Sequence, residues 1–294
     1  MRISIPLLLR FLLILAISAV AIDRVVAFAA RKGVEASPNR FSQLYFGQLS
    51  ADLVILGNSR ADNHFDPGWI EAETGLKAVN LGLGGNHMAL SAALFEDYLE
   101  RHATPRFALV EVSSATESLD DLGDFIPFSY ASPRLAELSR QIVPNIYYGT
   151  QVLNTLYFNN DMFFRVLKDL VQPPGGSRLL GQTMRADLRD RVLPIKPMPD
   201  RNLQALARIA VLAQEHGITL IPVIAPYGVR PENIRGLDAM VASAEAALAP
   251  WPVRNYAIAV QDPSKFANPT HLNRAGALEW MAQVFIADWV PRTE

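Results

Sequence analysis

The sequence predicts an α/β domain built on a parallel sheet, preceded by a membrane helix and interrupted by a mostly helical insertion. Three observations carry this. Short apolar, β-branched runs alternate with stretches of helical periodicity, the rhythm of βαβ units. Residues 5–22 are almost wholly apolar. Between about residues 118 and 199 the alternation gives way to aromatic and proline-rich sequence.

A chain of 294 residues has room for one large α/β domain plus a tail or insertion. Half of it is hydrophobic and 19% is charged, which allows a sizeable core and excludes wholesale disorder. The net charge of −2, from 27 basic and 29 acidic residues, gives no basic face for nucleic acid. There is no cysteine, so disulfides, thiolate metal sites and cysteine nucleophiles are excluded. The five histidines are scattered, and neither a metal nor a cofactor is expected.

The run over residues 5–22 is broken only by Pro6, Arg10 and Ser18. As a helix it is close to the roughly 20 residues needed to cross a bilayer. A buried core helix is one rival reading. A secretory signal is another: Arg2 and Arg10 make a basic start, residues 11–17 an apolar middle, and Ala19-Val20-Ala21 a small-residue cleavage pattern. Arg24, Arg31 and Lys32 on the far side leave orientation open under the positive-inside rule. The expectation is an uncleaved anchor over residues 1–30 and an exported, extracytoplasmic domain over residues 51–294. A polar connector over residues 31–50, with Pro38 and Asn39 discouraging regular structure, would join them.

Residues 52–56 form an apolar run ending at Gly57, the pattern of a buried parallel strand. Asp66-Pro67 pairs an N-cap residue with proline at the first helical position, and Gly75 stops that helix. A second strand over residues 76–81, a helix over 89–102 and a third strand over 107–112 follow. Inside the insertion one good helical pattern covers residues 161–171, ahead of the breaker at 173–176; its many aromatics are expected mainly in a core. The rhythm then resumes with a helix over 201–216 and a strand over 218–225. Pro222 demands that this strand lie at an edge or carry a bulge. A helix over 237–249, a strand over 253–260 and a closing helix over 275–289 complete the chain.

Three segments could carry chemistry, because strand ends of an open parallel sheet share one edge where ligands bind. Gly57-Asn58-Ser59-Arg60 follows the first strand; taken alone, Ser59 would be a turn or cap serine. Asn80-Leu81-Gly82-Leu83-Gly84-Gly85-Asn86 follows the second strand, and its glycines would form either a plain turn or an anion-binding loop. It is not a dinucleotide fingerprint, whose third glycine would fall on His87. Asn268-Pro269-Thr270-His271-Leu272-Asn273 precedes the last helix.

In order and content these segments resemble the blocks of the SGNH (GDSL) hydrolase superfamily. Gly57-Asn58-Ser59-Arg60 is similar to the first block, with Asn58 where aspartate is common, and Gly85 falls at the glycine of the second. His271-Leu272-Asn273, followed by Arg274-Ala275-Gly276, is similar to the last block, especially in bacterial membrane-anchored members resembling polysaccharide O-acetyltransferases and esterases. The resemblance spans roughly residues 51–289 and implies a three-layer, flavodoxin-like parallel sheet. It makes Ser59 the nucleophile and His271 its base, with the backbone N–H groups of Ser59 and Gly85 facing an oxyanion. Two positions depart from it. Asn268 stands where the family has the aspartate that orients the histidine, with Asp262 a substitute source of charge. Ala115 stands where an oxyanion asparagine is usual, leaving Ser114, Thr116 or Asn86 as replacement donors.

What the resemblance implies is a membrane-tethered serine esterase or O-acyltransferase, with an acetyl group the natural cargo. Its acyl-ester substrate would lie on a cell-envelope polysaccharide or lipid. The rival readings are an inactive relative that binds glycan or a partner subunit, and a purely structural envelope protein.

Overall fold

The computed structural model describes residues 5–118, 122–172 and 177–289. The chain divides into two compact units: residues 1–47 with 120–174, and residues 48–119 with 175–294.

The second unit is mixed α/β around a central parallel sheet of five strands. Its strands are β1 (Leu53–Leu56), β2 (Ala78–Asn80), β3 (Phe107–Glu111), β5 (Thr219–Ile224) and β7 (Arg254–Asn255), in the order β2-β1-β3-β5-β7. Two small pairs flank them: β4 (Leu193–Pro194) lies parallel to β6 (Ile234–Arg235), and β8 (Phe266–Asn268) antiparallel to β9 (His271–Leu272). Leu53, Ile55, Leu109, Ile221 and Val223 belong to one buried cluster with Phe65, Ala277 and Trp280. Successive strand residues point to opposite faces. The alternate residues Val54, Leu56, Ala108 and Val110 are fully buried as well, so both faces of the sheet are covered and the strands are apolar throughout.

Pro222 sits opposite Val110 in an unbulged ladder between β3 and β5, so of the expected edge or bulge it is the edge that is found, locally. The sheet tolerates it because β7 pairs with β5 only at Val223 and Ile224. Beside the proline no second ladder awaits its missing N–H. The strand expected over residues 253–260 shrinks to those two pairs.

The first unit contains α1 (Ile5–Ala36), α2 (Arg40–Phe46), and, further along the chain, three helices of the expected insertion. One helix, α1, is long and apolar enough among the described residues to cross a membrane. The expected connector is not one. Residues 31–36 continue α1, and Asn39 starts α2 by accepting the Phe41 N–H instead of breaking structure. Phe41, Leu44 and Tyr45, spaced three and four apart, bury one face of α2.

The α/β unit supplies α3 (Ser59–His64), α4 (Pro67–Thr74) and α5 (Met88–Arg101). The insertion's α6 (Pro133–Ile142), α7 (Pro144–Val152) and α8 (Asp161–Val171) belong to the first unit, whereas residues 177–199 belong with the sheet. The breaker at 173–176 lies outside the described residues. Aromatics of the insertion divide: Phe125, Phe128 and Phe158 are buried, and Phe125 meets Phe41 edge-on at 4.9 Å, but Tyr148 and Phe164 are exposed. Returning to the sheet, α9 (Asp200–Glu215) packs between α5 and α10 (Leu237–Leu248), and α11 (Arg274–Trp280) packs near α3.

Candidate active site

Gly57 closes β1 with φ +142°, a conformation side chains rarely adopt. A Cβ there would also lie 2.9 Å from that of Ala61. The sharp exit lets Asn58 cap α3: its Oδ1 accepts the Arg60 N–H at 2.9 Å, and its Nδ2 donates to Glu117 Oε1 at 2.9 Å. Ser59 is therefore the first residue of a helix rather than part of a loose turn.

From the other end of the chain, β8 and β9 bring back the histidine. His271 Nε2 lies 2.7 Å from Ser59 Oγ, and its Nδ1 lies 3.0 Å from Asn268 Oδ1. Asn268 Oδ1 also accepts the Thr270 N–H at 3.0 Å and the Thr270 hydroxyl at 3.1 Å. The backbone donor decides which way the amide points, since a flipped amide would set N–H against N–H. An acceptor held there selects the imidazole tautomer with the proton on Nδ1. Nε2 is then left as a lone pair toward the Ser59 hydroxyl.

Beneath this pair lies Arg60, almost fully buried. Its Nε donates to Glu111 Oε1 at 3.0 Å, Nη1 to the Thr270 carbonyl at 2.6 Å, and Nη2 to the Ala225 carbonyl. The guanidinium carbon stands 3.8 Å from the centre of the Tyr227 ring. Glu111, with no exposed surface, is further satisfied by the Ser113 hydroxyl and the Ala225 N–H. A buried ion pair is tolerable only when its remaining hydrogen-bonding positions are filled in this way. The pair links the ends of β1, β3 and β5 to the turn that carries His271.

Burial, and secondarily the charge of Arg60, lowers His271 from 6.5 to about 4. The imidazole is therefore neutral at pH 7 and able to accept a proton. His64 lies behind it, rings 5.7 Å apart. Its Nε2 accepts the Leu272 N–H at 3.0 Å, and burial first, then the charges of Arg60 and His271, holds it neutral well below the usual range.

The glycine loop passes beside Ser59. A Cβ on Gly82 would meet that of Ala61 at 2.7 Å, and one on Gly84 would stand 4.0 Å from Ser59 Cβ. Gly84 and Gly85 are exposed, and neither N–H is hydrogen-bonded among the described residues. Gly84, which the sequence did not single out, is thus the loop residue beside the hydroxyl, while Gly85 supplies the turn with φ +73°. Asn86 is not a donor to the cleft: its Nδ2 is engaged by the Gly57 carbonyl at 3.0 Å and Ser91 Oγ at 3.1 Å. Ser114 is also corrected. Its hydroxyl is buried against the Glu111 carbonyl and Met88 Sδ, because residues 112–116 form a 3-10 turn that presents Ser113 and Thr116 to the cleft instead. Asp262 is exposed and caps its own turn through the Ser264 N–H, so it does not serve His271.

The cleft measures about 220 Å³, with Ser59, Arg60, His271 and Tyr227 among its lining residues and residues 193–196 forming a wall. Glu111, Tyr227 and His64 have no place in the sequence reasoning, and Arg60 appears there without a role. Glu111 did carry a signal, since a carboxylate ending a strand as apolar as residues 107–110 needs a buried partner. No protein-family model matches the chain, and no curated protein matches it as a relative.

Proposed function

We propose that this chain is an SGNH-type serine esterase or O-acyltransferase, with acetyl the favoured acyl group and a cell-envelope polysaccharide or lipid as the other substrate. The observation that carries the reading is the chain of contacts from Ser59 Oγ through His271 to Asn268 Oδ1, at 2.7 and 3.0 Å. Its support from the fold is the strand order, which follows the flavodoxin-like pattern, and the covering of both sheet faces, which suits a three-layer arrangement. A cleft of about 220 Å³ suits a small acyl group better than a long chain.

In this reading His271 Nε2 takes the Ser59 proton as Oγ attacks the ester carbonyl. The oxyanion forms against the N–H groups of Ser59 and the Gly84-Gly85 loop. As the tetrahedral intermediate collapses, His271 returns the proton to the departing alcohol and leaves an acyl-serine. Water or a sugar hydroxyl, deprotonated by His271, then attacks the acyl carbon, and His271 gives that proton back to Ser59 Oγ as the acyl–serine bond breaks, releasing the acid or the acylated sugar. The apolar α1 would hold the unit on an envelope membrane, exported and uncleaved. In favour of an intact helix, α1 runs unbroken past the cleavage-like Ala19-Val20-Ala21 and buries Asp23, Ala27 and Val34 in its own unit.

A second reading, an inactive relative that binds glycan or a partner subunit, is favoured by Asn268, by the burial of Ala115, and by the Ser113 and Thr116 hydroxyls, which reach the cleft but donate to Glu111 Oε2 and to the Ser113 carbonyl. Fluorophosphonate labelling of the full-length protein in detergent separates the two. We expect Ser59 to be labelled and Ser59→Ala to remove both labelling and p-nitrophenyl acetate hydrolysis. A folded wild-type protein that resists the probe would establish the inactive reading.

A further inference from the structure

We propose that the helical unit carries a lipid-facing collar around the exit of α1, where the 152–155 turn and the start of α8 lie in the headgroup region of the membrane that α1 crosses. The inference rests on the reading of α1 as an anchor and goes beyond it, because it assigns the surface of a second part of the unit to the bilayer.

The level of that surface is fixed by hydrogen bonds. Asp23, just past the apolar run, turns its carboxylate toward the first turn after α7. It accepts the Asn154 N–H at 2.9 Å, the Thr155 N–H at 3.0 Å and the Thr155 hydroxyl at 2.7 Å. Arg24 adds a bond from Nη2 to the Val152 carbonyl at 3.3 Å. The 152–155 turn therefore stands level with the end of the span. Its side chains are the wrong kind for water. Val152 is 68% exposed and Leu153 42%, and on α1 beside them Ile22, Val25 and Phe28 are each more than 60% exposed. Phe164, near the start of α8, is 62% exposed. Phe163, the residue before it, lines one pocket with Val26, Ala30 and Thr155, and a group of exposed apolar residues around such a site marks an interaction surface.

Three features name lipid as the occupant. The 152–155 turn is bonded to Asp23 and Arg24, directly after the exposed apolar run of α1. Arg24, 44% exposed, follows the apolar run directly on α1, where a cation meets phosphate headgroups, and exposed Tyr148 adds an interfacial aromatic. Between Val26, Ala30, Phe158 and Phe163 an apolar pocket of about 430 Å³ opens at the same height, a shape an acyl chain can fill. Asp23 fits this placement: its carboxylate has its hydrogen bonds supplied by protein at a depth where water is scarce.

The absence of cysteine makes the test direct. Single cysteines replacing Leu15, Lys32, Val152 and Phe164 are labelled with an environment-sensitive fluorophore in the full chain, in nanodiscs of phosphatidylcholine and phosphatidylglycerol. Lipids bearing a shallow or a deep nitroxide, and aqueous iodide, serve as quenchers. Leu15 and Lys32 lie eight and nine residues on either side of Asp23, roughly 12 and 14 Å along the helix, and act as deep and aqueous references. We expect Leu15→Cys to respond to the deep nitroxide and Lys32→Cys to iodide. Val152→Cys and Phe164→Cys should respond to the shallow nitroxide roughly twofold more than to the deep one, with iodide quenching well below that of Lys32→Cys. If Leu15→Cys reports water, the anchor reading itself fails. If Leu15→Cys is deep but Val152→Cys and Phe164→Cys match Lys32→Cys, the anchor stands and the collar is overturned. Shielding from both iodide and nitroxide also overturns it, because the patch is then covered by protein.

Discussion

The α/β unit buries an arginine and a glutamate and leaves a serine open to the cleft, whereas the helical unit buries an aspartate and leaves valine, leucine and phenylalanine outside. In both, the buried charge has its hydrogen bonds filled, but it serves different ends. Arg60 and Glu111 satisfy each other and hold strand ends around the Ser59–His271 contact. Asp23 is satisfied by a neighbouring turn and sets the height of an apolar surface. The contrast teaches that a buried charge in this molecule is a fixing point, and that what surrounds it says which surface has been fixed.

The strongest way to break that contrast is to strand a charge. Glu111→Ala leaves the Arg60 guanidinium buried without a counter-ion, and denaturant unfolding should report a loss of about 3–5 kcal/mol. The double variant Arg60→Met with Glu111→Leu should recover most of that stability, yet not the rate of ester hydrolysis, because the Thr270 carbonyl loses its donor. Equal stability of Glu111→Ala and wild type would show that the pair fixes nothing.

A smaller effect concerns the base. In the serine-protease triad, replacing the orienting Asp by Asn costs about 10⁴ through the wrong tautomer. Here the Thr270 N–H already aims Asn268 Oδ1, so what is missing is charge, not orientation. Asn268→Asp should raise hydrolysis about tenfold and raise the titration of His271 by a unit or more. The sign follows from the neutral base being the active form. In wild type the rate should hold down to near pH 5 and fall as His271 gains its proton at about 4, while in Asn268→Asp the fall begins at higher pH. A pH–rate profile checks both, and an unchanged profile would remove Asn268 from the machinery.

The smallest expected change lies in the helical unit. Asp23→Ala uncaps the turn at residues 154–155, and thermal unfolding in detergent should show a loss of roughly 1–2 kcal/mol. The Ser59 labelling of that variant should be unaltered.

Much of the α/β unit was legible because its signals are local. Apolar runs ending in glycine mark β1 and the loop after β2, and Ser59, His271 and Asn268 lie near strand ends where such signals are sharp. Arg60 was visible but its role was not, since its partners Glu111, Ala225 and Thr270 are far away in sequence and no spacing links them. Ser114 is a candidate in the sequence because it adjoins Ala115, where the resemblance calls for an asparagine, and sequence adjacency does not show that a 3-10 turn holds its hydroxyl against the Glu111 carbonyl. Asn39 reads equally as a breaker or a helix cap, and only the apolar spacing at Phe41, Leu44 and Tyr45 distinguishes the two. The pairing of residues 1–47 with 120–174 left no local mark, since it depends on which aromatics meet, such as Phe41 with Phe125.

One guanidinium grips the end of β3, the residue after β5 and the turn after β8, and this ties the position of Ser59 to that of His271. Any fluctuation that pulls the Thr270 carbonyl from Arg60 also tugs on the residue next to Ser59, so the hydroxyl and the imidazole lose alignment in the same instant. On the proposed reading, loss of that single grip would cost the cleft its hydroxyl and its imidazole geometry together rather than one at a time.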